Sequence, residues 1–256
     1  MMELQAMGAV GQGACGCSAC AAQPGRAGIT IPSPSNGLLR RRFLAVGALT
    51  MFAGGSVLAA RPARAQSPLS PDAALERLMA GNARFVDNDL TSFSEDLGVL
   101  RARTVDKQEP FAALLSCADS RVPVELVFDQ SIGHLFVTRV AGNVATTDVI
   151  ASLEYGAAVL GTRVIMVLAH QGCGAVKAAV GGKAVPGQIS ALYAPLQAAV
   201  EQGHHDYEAT AKINARIQAN LLATASPVLA GLISSGDLKV VAAYYSLETG
   251  KVSLLG

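Results

Sequence analysis

Two stretches of this sequence, Phe111-Ala-Ala-Leu-Leu-Ser116 and Val164-Ile-Met-Val-Leu-Ala169, are continuous apolar runs of strand length that stop at Cys117 and His170. A strand with one wet face alternates polar and apolar residues. A run without alternation is buried on both faces, the situation of a parallel strand covered by helices on either side. A third run, Leu135-Phe-Val-Thr-Arg-Val140, ends at Ala141-Gly142-Asn143 after a turn at Gly133. Three such runs in one chain point to an open parallel sheet, whose loops at the strands' carboxyl ends share one crevice.

The segments between and around these runs complete an α/β alternation. Ser70-Pro71-Asp72 ahead of Ala74, Leu75, Leu78 and Met79 predicts a helix capped by Ser70 with Pro71 as its first residue, bent or ended at Gly81-Asn82. Residues 87–109 are polar and of mixed charge, suited to an arm or loop. Helical spacing covers Asp148 to Leu160, and residues 188–233 read as predominantly helical with a break at Gly203-His204-His205-Asp206. Leu238–Tyr245 is a late strand, and Glu248-Thr-Gly250 turns the chain into Lys251-Val-Ser-Leu-Leu255. The expected fold is α/β: a mostly parallel central sheet flanked by helices, with an antiparallel edge strand at the C-terminus.

Composition agrees with a packed α/β core. Half of the 256 residues are apolar, only 15% are charged, and there is no tryptophan. The net charge of +1 supplies no broad basic field, which argues against a nucleic-acid partner. Charge is unevenly spread, however. Residues 1–65 hold six of the 20 basic residues, all arginine, and one acid, Glu3, so that the remainder is net acidic. Within them, Arg40-Arg41-Arg42-Phe43-Leu44 opens the uncharged run Phe43–Ala60, followed by Ala63-Arg64-Ala65. A basic region, a weak apolar region and a small-x-small site make up an export signal, and the paired arginines before Phe-Leu resemble the twin-arginine kind. Residues 1–65 are therefore expected to be a presequence that engages the twin-arginine export machinery, delivering residues 66–256 to a bacterial periplasm. An anchor through residues 43–60 is the competing reading. On either reading the cluster Cys15, Cys17 and Cys20 falls outside the folded domain.

The chemistry then rests on two segments at strand ends, Ser116-Cys-Ala-Asp-Ser-Arg-Val-Pro123 and Ala169-His-Gln-Gly-Cys-Gly-Ala175. Their convergence would assemble Cys117, Asp119, His170 and Cys173. Two thiolates, an imidazole and a hard oxygen suit Zn²⁺ in four-coordination. If Asp119 is the fourth ligand, the site is closed. If Arg121 holds Asp119 instead, the fourth position passes to water, and the neutral ligand set favours activity at alkaline pH. Residue spacing leaves catalytic zinc, structural zinc and simple packing of buried cysteines all open.

C-A-D-S-R-V-P, F-V-T-R-V-A-G-N and H-Q-G-C-G-A-V, in this order, resemble the signature segments of β-class carbonic anhydrases. Similarity extends to Gly81-Asn-Ala-Arg-Phe85 and Leu153-Glu-Tyr155, and so spans roughly residues 72–256. The resemblance implies one Zn²⁺ per subunit on Cys117, His170 and Cys173, with Asp119 and Arg121 as the pair that gates the fourth position. It implies reversible hydration of carbon dioxide to bicarbonate through zinc-bound hydroxide. It further implies a homodimer or larger homo-oligomer whose substrate pocket crosses the interface and is lined by Gln108, Phe136, Tyr155 and the Gly174 amide. Hydrolysis of carbonyl sulfide or carbon disulfide on the same fold, or a non-catalytic zinc module, are the alternatives. His134 and the His204-His205 pair are read as loop residues outside the chemistry.

Overall fold

The apolar runs pair side by side. In the computed structural model, which describes residues 67–92 and 97–256, β1 (Ala112–Ser116), β2 (Leu135–Arg139), β3 (Val164–His170) and β4 (Lys239–Tyr245) are all parallel. Their order is β2-β1-β3-β4, and β5 (Val252–Leu255) closes antiparallel on β4. The fold is thus the mixed α/β sheet expected. The presequence reading and Cys15, Cys17 and Cys20 lie outside the described residues.

Strand periodicity divides the core in two. Ala113, Leu115, Ile165, Val167, Ala242 and Tyr244 face one layer, while Ala112, Leu114, Val164, Met166, Leu168, Ala243 and Tyr245 face the other. Every residue of β1 and β3 is buried, which is why these strands show no polar alternation. The first layer is covered by α4 (Thr147–Glu154), α5 (Gly174–Gly181), α6 (Tyr193–Gln202), α7 (Tyr207–Ala225) and α8 (Pro227–Ser234). The second is covered by α1 (Pro71–Val86) and α3 (Val124–Val127). Each fully buried leucine here contributes about 1.5–3 kcal/mol, so the two layers dominate the stability of the sheet.

Helix α1 begins as its sequence predicts, with Ser70 Oγ accepting from the Ala73 N–H and Pro71 as first residue. It does not bend or end at Gly81-Asn82. Gly81 lies against the α3 region so closely that a Cβ would sit 1.8 Å from the Phe128 carbonyl oxygen. Asn82 is buried, donates from Nδ2 to the Val127 and Gly250 carbonyls, and accepts from the Val252 N–H. These two residues are where α1 docks on the body. Tertiary hydrogen bonds replace the turn that their local preferences favour.

Two further differences concern segment 87–109 and the helix after β2. The polar segment contains a helix, α2 (Leu97–Thr104), seated through the buried Leu100. The helix from Thr147 gives way at Tyr155–Val159 to a π-helical turn, in which the Leu160 N–H donates to the Tyr155 carbonyl. The wider turn accommodates Gly156, where a Cβ would meet the Phe136 ring at 3.0 Å.

Candidate metal centre

Register brings the two sulfur-bearing segments together. Ser116 lies opposite Leu168 in the β1–β3 pair, so Cys117 and His170 emerge from neighbouring strand ends. Cys173 follows after a turn through Gly172, whose φ of +67° is in the left-handed region open to glycine, and it immediately precedes α5. The Sγ of Cys117, the Sγ of Cys173 and a ring nitrogen of His170 all lie within 4.8 Å of one another, and all three residues are buried.

The donor chemistry of this cluster fits a soft or borderline divalent ion. His170 Nδ1 lies 3.0 Å from the Gln171 carbonyl oxygen, a contact that assigns the ring proton to Nδ1. Nε2 is left buried with a bare lone pair and no hydrogen-bond partner. An orphaned buried nitrogen beside two thiols costs free energy unless something binds it. The carbonyl that orients a ligating imidazole is a recurring feature of metal sites. The Gln171 loop is itself held: its N–H donates to the Tyr245 carbonyl, and Gln171 Oε1 accepts from the Glu248 N–H.

The thiols are differentiated. Cys117 is held down, first by its contact with Cys173 and further by the Gly142 N–H, against the opposing effect of burial. Cys173 is pushed up by its contact with Cys117 and by burial. The two sulfurs stand 3.9 Å apart, close enough for one cation to hold both as thiolates.

Asp119 takes the arrangement that leaves the cluster open. Arg121 Nε and Nη2 donate to Asp119 Oδ1 and Oδ2 at 2.9 and 2.7 Å, and the Arg121 backbone N–H donates to Oδ1 at 3.0 Å. The fork of charge-assisted bonds keeps the Asp119 carboxyl well below the usual carboxylate range. Asp119 Oδ2 still lies 3.9 Å from His170 Nε2, so the carboxylate borders the cluster without belonging to its three-residue group. Arg121 Nη2 also donates to the Gly172 carbonyl and ties the two sulfur-bearing loops together.

Arg139 carries a role that its sequence context did not single out. At the end of β2, its Nε donates to the Cys117 carbonyl and its Nη2 to the Asp119 carbonyl. One guanidinium thus fixes the backbone at both chemical positions of the first loop. A charged residue closing an otherwise apolar strand was the available signal.

The residues expected to line the pocket separate into two places. Gly174 opens α5 beside Cys173, where its N–H is one of the helix's unpaired donors. Gln108 and Tyr155 line one surface groove, and Phe136 packs on Tyr155 with ring centroids 6.2 Å apart. Gln108 precedes β1 and Phe136 pairs with Ala113, so this groove is at the amino end of the strands. Within one chain it does not meet the cluster at the carboxyl end. His204 and His205 lie in the exposed turn between α6 and α7.

Comparison with known proteins agrees with this geometry. The family model described as carbonic anhydrase matches residues 112–252. "Carbonic anhydrase 2" of Mycobacterium tuberculosis is 33% identical over 193 residues, covering 72% of this chain and 93% of that protein. Among solved structures, the β-carbonic anhydrase of Coccomyxa in complex with acetazolamide superposes with a TM-score of 0.57 at 24% identity, over 71% of this chain and 86% of that one. A tetrameric β-carbonic anhydrase of Sordaria macrospora gives a TM-score of 0.57 at 21% identity, over 62% and 90%. At those identities the structures speak for the fold, whereas the family model and the mycobacterial relative span the segments that carry Cys117, His170 and Cys173. With its open Cys-His-Cys cluster, its Asp–Arg pair and a parallel sheet closed by one antiparallel strand, the chain belongs to the carbonic anhydrase family.

Proposed function

We propose that this protein hydrates carbon dioxide reversibly to bicarbonate and a proton at the Cys117–His170–Cys173 cluster, with Zn²⁺ as its resident metal and Asp119 and Arg121 as the catalytic pair. The observation that carries the reading is the bare, buried Nε2 of His170 beside two thiols, with Asp119 turned away to Arg121. Zinc, when bound, acts as a Lewis acid that acidifies water and supplies the nucleophile near neutral pH.

The chain's own groups do the rest. Asp119, kept ionised by Arg121, offers only acceptors, so it orients an attacking O–H by taking its hydrogen bond. Because its proton affinity is low, the proton released in hydration passes to buffer and does not remain on Asp119. The Gly174 N–H at the start of α5 favours the negative oxygen that develops on the substrate. Gln108, Phe136 and Tyr155 lie across the sheet, and a five-residue strand spans about 16 Å. For them to line the pocket, a second copy of the chain has to supply them, which supports a homodimeric unit.

Stopped-flow hydration of carbon dioxide with metal analysis on the purified protein tests the reading. Activity that tracks bound zinc supports it, and a zinc-loaded protein inactive up to pH 9 overturns it. The twin arginines and the Ala63-Arg64-Ala65 site support export to the periplasm. Retention of the protein inside a host lacking the twin-arginine machinery is the corresponding test.

A further inference from the structure

Helix α7 carries three buried polar residues on one face, Thr210, Asn214 and Gln218, spaced four apart. Buried amides are costly unless bonded, and two of these are bonded to a single loop. Asn214 Nδ2 donates to the Gly142 carbonyl at 2.9 Å, and Gln218 Oε1 accepts from the Ala145 N–H at 2.9 Å. Gln218 Nε2 donates to Asn214 Oδ1 at 3.1 Å, so the amides brace each other. The loop they hold is unusual. Gly142 and Asn143 both have positive φ, +76° and +43°, and Asn143 is buried. Consecutive residues in this conformation persist only where their surroundings over-determine it. The Gly142 N–H points to Cys117 Sγ, at 3.4 Å.

We infer that Asn214 and Gln218 are positioning residues for the metal centre: they lock the Gly142–Ala145 loop so that the Gly142 amide stays hydrogen-bonded to the Cys117 thiolate. That bond withdraws electron density from the sulfur and fixes its direction, which sets how Cys117 meets a metal. The inference rests on the metal-centre reading above.

The test uses the full chain loaded with Co²⁺ and with ¹¹³Cd²⁺. In the unaltered protein, the Gly142 amide proton is expected to show scalar coupling to ¹¹³Cd through the Cys117 sulfur. Asn214→Leu and Gln218→Met should each move the thiolate-to-Co²⁺ charge-transfer band to longer wavelength and weaken Zn²⁺ binding about tenfold by chelator competition. Thr210→Val, on the same buried face without a bond to the loop, should leave band and affinity unchanged. Absence of the coupling, or an unshifted band in either folded amide variant, overturns the inference while leaving the metal site intact. A loss in Thr210→Val equal to that in Asn214→Leu overturns it as well, because general loosening of α7 would then be the cause. An unaltered protein that takes up neither metal overturns the metal-centre reading itself. The coupling measurement needs no variant, so its absence overturns the inference even if an amide variant fails to fold, and the remaining folded amide variant then carries the band test.

Discussion

The Sγ atoms of Cys117 and Cys173 stand 3.9 Å apart although 56 residues separate them in the chain. A disulfide would require a separation near 2.05 Å, and both thiols are free. Both sulfurs face the bare Nε2 of His170. Replacing either Cys117 or Cys173 by serine is therefore expected to abolish zinc binding. Replacing Cys15, Cys17 and Cys20 together should leave it unchanged, and metal analysis of the purified variants reads both outcomes.

Arg121 is expected to act on catalysis and not on metal retention. Arg121→Leu should keep its zinc, because no ligand is touched, but lower kcat/KM by about 10- to 100-fold. The carboxyl itself should titrate differently. Arg121 holds the Asp119 carboxyl below its ordinary value, so the pair is fully present above about pH 4 and is lost only as the pH falls through the depressed value. Without Arg121 the Asp119 carboxyl returns toward about 4, which NMR titration of its side-chain carbon reads directly. The same titration midpoint in the two proteins would contradict this assignment.

The division of the pocket between the two ends of the sheet predicts complementation. Gln108→Ala impairs the groove but not the cluster, and Cys117→Ser removes the cluster but not the groove. Co-expressing the two chains should give hybrid dimers with one complete pocket and more activity than either parent alone. Hybrid activity no greater than the parents' sum would mean that each chain uses its own Gln108.

Asp129 is the principal buried charge away from the site. It accepts from the N–H and hydroxyl groups of both Thr91 and Ser92 and pairs with Arg84. Burial alone would raise its carboxyl, but the Ser92, Arg84 and Thr91 bonds outweigh burial and hold it below the ordinary range. Its stabilisation is thus complete above about pH 4 and is lost as the pH falls through the depressed value. Asp129→Ala, which leaves these donors and Arg84 unpaired, should destabilise the protein by about 3 kcal/mol in denaturant melts at pH 7. The difference from the unaltered protein should shrink at low pH.

Much of the fold was legible in the residues because burial on both faces leaves a plain imprint. The continuous apolar runs became the fully buried β1 and β3, the run from Leu135 became β2, a half-exposed strand at the edge of the sheet, and the Glu248-Thr-Gly250 turn joined β4 to an antiparallel β5. Gly81-Asn82 misled because their turn preference is local, whereas the Phe128 carbonyl and the Gly250 backbone that capture them lie far along the chain. The helix α2 was obscured because it is short and buries only Leu100, so its apolar residues mark no helical face.

The sequence by itself determined which residue types stand at the strand ends, and hence the sulfur, nitrogen and carboxylate chemistry at Cys117, Asp119, His170 and Cys173. It left two states open for Asp119, because i, i+2 spacing allows either a metal or Arg121 as partner. In the folded chain the carboxylate lies on the Arg121 fork, the arrangement that leaves a fourth position at the cluster to water. The same folded packing recruited Arg139, Asn214 and Gln218, whose roles depend on backbone groups of distant loops. A ligand's identity is written in its side chain, whereas the direction of its lone pair is set by neighbours that meet it only after folding.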